Sequence, residues 1–134
     1  RELQAREASR PLPLDAWAAS CLPRAEYDVV WLIRFWPRAC LVTLPSIVAP
    51  RGLIVLSHFV HDPDPRIPRR GEPYLREYTS PPIDKRIQRG ELRALLDHWD
   101  GMYGPHEILD ECIERVEDGR PVHSLVLRVH LHRL

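Results

Sequence analysis

The chain has 134 residues, enough for one domain with a single core. Its 19 basic and 19 acidic residues cancel to a formal net charge of zero, so composition carries no strong nucleic-acid signal and no pull toward an anionic membrane surface. No apolar run approaches the ~20 residues that cross a bilayer, and no signal peptide is present; an opening at Arg1 points to a longer parent chain.

Residues 1–10 (RELQAREASR) carry strong helix formers and read as the end of a helix. Pro11 and Pro13 break the next stretch, PLPLDAWAAS, into a turn or a short strand. Residues 27–35 (YDVVWLIRF) form a continuous apolar run rich in Val, Ile and Trp, which predicts a strand buried on both faces, as in a parallel sheet. From Pro37, which suits a first helical turn, Leu41, Leu44 and Val48 recur at helical spacing, and Pro45 should end that helix early. Pro50-Arg51-Gly52 then turns the chain into LIVLSHFV, a second buried strand, and a strand, helix and parallel strand make a right-handed crossover unit.

Residues 61–88 lose all periodicity. Pro63, Pro65, Pro68, Pro73, Pro81 and Pro82 alternate with Arg66, Arg69, Arg70, Tyr74 and Tyr78, which predicts a long loop or lid. The alternatives for it are a substrate-specificity segment, whose arginines meet an anion, and a solvated or disordered insertion. RGELRALLDHW, residues 89–99, returns to helix. The remainder reads as two strands around Glu117-Asp118-Gly119-Arg120, and in the second a mainly polar face of Val122, Ser124, Val126, Arg128, His130 and His132 alternates with a mainly apolar one of His123, Leu125, Leu127, Val129 and Leu131. Cys21, Cys40 and Cys112 are odd in number and widely spaced, as expected of reduced thiols in an intracellular, cytoplasmic protein. His130 and His132 share a strand face but lack a further ligand at matching spacing, so no metal is expected.

The order strand, helix, strand, long loop, helix, antiparallel hairpin resembles the C-terminal half of a class I S-adenosylmethionine-dependent methyltransferase. YDVVWLIRFWPRAC is similar to that family's fourth strand and the loop beside the cofactor. IVAPRGLIVLSHF is similar to its L-x-P-G-G-x-L turn and fifth strand, with Pro50 and Gly52 in place and Arg51 at the first glycine. Within the family the chain is most similar to small methyltransferases of the tellurite-resistance type. The resemblance implies an α/β fold, the C-terminal part of a doubly wound, mainly parallel sheet with an antiparallel C-terminal edge hairpin. It also implies S-adenosyl-L-methionine as cofactor and an unidentified methyl acceptor, most simply a small molecule. The family's glycine-rich turn is missing: no Gly-x-Gly occurs, and the segment that would carry it lies before Arg1. Residues 1–134 are therefore expected to be a partial methyltransferase domain that is inactive alone. Two other readings are a non-catalytic structural or interaction module and, less in keeping with the pattern, another Rossmann-like enzyme such as a dehydrogenase.

Transfer from a sulfonium needs alignment in a dry pocket more than acid–base help, so binding residues rather than a triad are expected. Under the resemblance, Asp15 takes the place of the carboxylate that accepts the adenine amino group and Trp17 flanks the ring; a turn-capping aspartate and a core tryptophan are the plain alternatives. Arg34 and Phe35 follow the first strand at the edge where open α/β sheets bind ligands, against a local ion pair and a core aromatic. On the substrate side stand His58, Arg38 and Tyr74. For His58 the alternative is a satisfied strand-end histidine; Arg38, one turn further along, fits a surface or capping position that faces solvent or a neighbouring loop.

Overall fold

The computed structural model describes residues 26–71 and 73–129. Tyr27–Ile33 forms β1 and Val48–Phe59 forms β2, and they pair in parallel with Val30 opposite Ile54 and Leu32 opposite Leu56. The connection between them starts as a helix at Pro37, whose carbonyl accepts from the Cys40 and Leu41 N–H groups. This helix, α1, runs only from Arg38 to Leu41. The chain resumes as a 3₁₀ turn, Leu44–Ile47, with Pro45 in its first turn. The helix expected over 37–48 is thus two short pieces: a proline inside a helix lacks the N–H it should donate, while at the first turn that N–H is not needed.

Beyond β2 come a two-residue strand β3 (Arg69–Arg70), helix α2 (Glu91–Tyr103), β4 (His106–Arg115) and β5 (Pro121–Val129). The five strands make one mixed sheet in the order β1-β2-β5-β4-β3, giving the chain α/β character. β5 is antiparallel to β2 and to β4, so the last strand of the hairpin is not at the edge but inserted between them. Gly119, at φ +94°, lets the hairpin turn, with its N–H donating to the Val116 carbonyl. Among the described residues no helix is long and apolar enough to cross a membrane.

One face of the sheet holds the core. Val30, Leu32, Ile54, Leu56, Leu125, Leu127 and Val129 are buried against Leu92, Leu96 and Trp99, which helical periodicity places on one stripe of α2. Trp99 Nε1 donates to the Leu41 carbonyl at 2.9 Å and ties α2 to the end of α1. The opposite face is open at β1, where Trp31 and Ile33 are each 45% exposed, and Val55 and Val126 are half-buried, but Val122 and Cys112 farther along it are buried. β1 is therefore buried on one face, not two, and lies at the margin of the described sheet. Its apolar run is continuous, but the described helices stack on only one side, so alternate residues of the run meet the core.

The described residues of 61–88 are held around a buried arginine. Arg86 Nε donates to the Pro81 carbonyl and Nη2 to the Tyr78 carbonyl, Nη1 meets His61 Nδ1, and the guanidinium lies 3.6 Å from the Tyr78 ring centroid. The Tyr78 hydroxyl donates to the Val60 carbonyl at 2.6 Å. Ile87 bridges back to Val60 and brings the chain to the start of α2.

Candidate functional site at the carboxyl edge

Because β1, β2 and β4 run one way and β5 the other, the ends of the first three and the start of the fourth lie at one edge of the sheet. In open α/β sheets that edge is where ligands bind. Arg34, directly after β1, has φ 58°, a left-handed conformation that costs a side-chain-bearing residue about 1–2 kcal/mol. Such strain concentrates at functional sites. Its N–H donates to the Ser57 carbonyl.

The Arg34 side chain turns onto the open face, where Nη1 donates to the Ser57 hydroxyl. Ser57 Oγ lies 3.2 Å from Ser124 Oγ, and Ser124 donates to Glu114 at 3.3 Å. These bonds form a polar relay across β2, β5 and β4. The Arg34 guanidinium stands 5.6 Å from the Phe59 ring centroid and that of Arg120 stands 4.3 Å from it. Burial lowers the pKa of Arg34; the Glu114 carboxylate opposes this and the Arg120 charge adds to it.

A second cluster lies on the core side of the same edge. Trp36 Nε1 donates to Glu91 at 3.2 Å, the Gln88 N–H donates to it at 2.9 Å, and Arg38 pairs with the same carboxylate. Arg38 also donates through Nη2 to the Arg86 carbonyl at 2.7 Å and through Nη1 to the Asp84 carbonyl. Arg38 is exposed and turned to a neighbouring loop, as its helical position suggested, and there it clamps α1 to the segment entering α2. His58 is buried and stacked on Trp36 with centroids 6.2 Å apart. Its Nε2 donates to the Lys85 carbonyl at 2.8 Å, which leaves Nδ1 as a bare acceptor with no partner among the described residues. Burial lowers its pKa, the Lys85 carbonyl pulls the other way, and nearby Arg34 and Arg38 lower it further, so the ring is held neutral.

Arg34, Phe35, Arg38 and His58 are therefore gathered at one edge, but on two sides: Arg34 on the open face, Arg38 and His58 beneath. Phe35 is half-buried against the core. Tyr74 is likewise half-buried and carries the Arg69 guanidinium 5.1 Å from its ring centroid. Asp15 and Trp17 lie outside the described residues. Sequence reasoning missed Phe59, Arg120 and Glu91. The first belonged to an apolar run and the second to a turn, and only the antiparallel pairing of Phe59 with Val122 brings them together.

An open cleft of about 850 Å³ lies elsewhere, between residues 60–68, α2 and β4, with the His123–Glu111 pair at 2.9 Å along its wall. Among the described residues no group of His, Cys, Asp and Glu is arranged to hold a metal.

No family model matches the chain. A curated relative, the uncharacterized protein UNK4.09 of Schizosaccharomyces pombe, is 32% identical over 102 residues, covering 75% of this chain and 26% of the relative. The chain thus spans about a quarter of the length of the curated relative it matches.

Proposed function

We propose that this chain is the C-terminal part of a doubly wound S-adenosylmethionine-dependent methyltransferase domain working in the cytoplasm. The observation that carries the reading is the conformation of Pro50-Arg51-Gly52, which lies not in a turn ahead of the second strand but inside β2, where the register against β1 shifts between Tyr27–Val48 and Val29–Leu53. Arg51, where the family resemblance calls for glycine, has φ 65°, so the backbone keeps a shape that glycine adopts freely and arginine does not. At Gly52 an added Cβ would come within 2.8 Å of the Ala49 carbonyl oxygen and 2.9 Å of the Asp28 carbonyl oxygen, so this glycine is needed for β1 and β2 to close. The parallel β1–β2 pair, followed by an antiparallel hairpin, also accords with the expected arrangement.

The donor set at the edge fits the cofactor class in part. Arg34 offers a cation for a carboxylate of cofactor or acceptor, and Phe59 beside it offers an apolar wall; Phe35 packs against the core, and the adenine contacts would fall to Asp15 and Trp17. The bound cofactor supplies a methyl group on a sulfonium, already activated toward a nucleophile. What the chain must then do is orient the acceptor and exclude water, and Arg34 and Phe59 are offered for that role.

The test is calorimetric titration of S-adenosylmethionine and S-adenosylhomocysteine into the full-length natural protein and, separately, into residues 1–134. Micromolar affinity in the full-length protein with little or none in the shorter chain is expected. Absence of binding to the full-length protein overturns the proposal and favours an interaction module, a reading that Trp31 and Ile33 on the open face support.

A further inference from the structure

We infer that Arg34 and Arg120 form one oxyanion site around the Phe59 ring, taking a carboxylate or phosphate. Resting on the methyl-transfer reading, the anion is assigned to the acceptor, which is then an anionic small molecule. Both guanidiniums converge on one aromatic ring, at 5.6 and 4.3 Å from its centroid, although like charges brought together repel. A cation–π contact occupies no hydrogen-bond acceptor of the anion and leaves guanidinium N–H groups free to donate.

Each arginine is held but not saturated. Arg34 spends Nη1 on the Ser57 hydroxyl and has no carboxylate at ion-pair distance among the described residues, so Nε and Nη2 remain to donate. Arg120 is fixed by Asp118 through Nε and by the Ser80 carbonyl through Nη1, at 2.8 Å each, with no bond from Nη2 among the described residues. Glu114, whose field reaches Arg34, is engaged by Ser124 and lies 3.9 Å from Arg70 Nη1. The cluster occupies the strand edge where α/β sheets bind ligands, and Arg34 is held there in a strained backbone conformation. A fork of partly desolvated N–H donors is matched by an oxyanion, which it can hold bidentately.

Inorganic phosphate and acetate, titrated into the 134-residue chain while the arginine Nε–H resonances are followed by NMR, test the site without any cofactor. Saturable shifts at Arg34 and Arg120 are expected, weakened about tenfold or more in both Arg34→Gln and Arg120→Gln and unchanged in Arg93→Gln, which lies away from the cluster. Shifts that rise linearly with salt, or equally in all variants, overturn the site, and that result leaves cofactor binding by the full-length protein untouched. In the full-length protein, saturating S-adenosylmethionine should leave phosphate bound. Displacement would assign the anion to the cofactor's own carboxylate and overturn the inference of an anionic acceptor.

Discussion

Arg38 and Glu91 stand fifty-three positions apart and close the edge of the sheet, the guanidinium held by both carboxylate oxygens and by two loop carbonyls. The pair joins the exit of β1 to the first residue of α2, so it links the segments that bracket β2. Arg38→Ala is therefore expected to lower stability by about 1–2 kcal/mol, more than a surface substitution, because four bonds are lost and Glu91 keeps only Trp36 and Gln88. Urea unfolding checks it: a loss below about 0.5 kcal/mol would return Arg38 to a solvated side chain.

Glu91 makes stability depend on pH. Burial alone would raise its pKa, but the hydrogen bonds from Arg38, Gln88 and Trp36 outweigh burial and hold it below the ordinary value. A group depressed in the folded state contributes stability that is full above its unfolded pKa, about 4.3 for glutamate, and disappears as pH falls through the lower folded value. Glu91→Gln should thus be less stable than the natural chain near neutrality, with the gap narrowing as pH drops below about 4. Unfolding midpoints measured across that range would show a constant gap if Glu91 acted through shape alone.

Arg86 is the equivalent anchor for residues 61–88, and its removal would strand the Tyr78 and Pro81 carbonyls and open the Tyr78 stack. Arg86→Met, similar in length but with no donors, is expected to cost about 2–4 kcal/mol and to speed proteolysis within 61–88. Unchanged protection of that segment in hydrogen exchange would sink this account.

What was legible in the chain follows from what repeats locally. The hairpin was readable because the last strand alternates and Gly119 marks the turn; of the expected apolar face His123, Leu125, Leu127 and Val129 are buried and Leu131 lies outside the described residues, while Val122, expected on the polar face, is buried too. The stop in the first helix was readable because a proline acts on its own backbone. The exposure of Trp31 and Ile33 was not readable, since a continuous apolar run carries no record of which face another layer will cover. Nor was the Arg34–Phe59–Arg120 cluster, whose members lie on three elements and meet only through strand pairing. The clamp by Arg38 was hidden for the same reason, because its partners arrive from a loop with no periodicity.

Arg51 and Gly52 separate two reasons for glycine at one irregularity of β2. At Arg51 the backbone is left-handed and the side chain is exposed, so Arg51→Gly relieves strain of about 1 kcal/mol, offset in part by the greater freedom glycine brings to the unfolded chain. The net change is expected between zero and about +1 kcal/mol of stability. At Gly52 the difficulty is contact: an added Cβ would meet Val48 Cγ1 at 2.7 Å and two backbone carbonyl oxygens below 3 Å. Two of those three neighbours are main-chain atoms that cannot rotate away, so β1 and β2 would have to part. Gly52→Ala should therefore cost about 1–3 kcal/mol, in the range of overpacking a filled site. Chemical denaturation of the two single variants and their double decides the matter. This role for the two residues, and with it the main support for the methyl-transfer reading, fails if Arg51→Gly is the more damaging change or if Gly52→Ala is neutral.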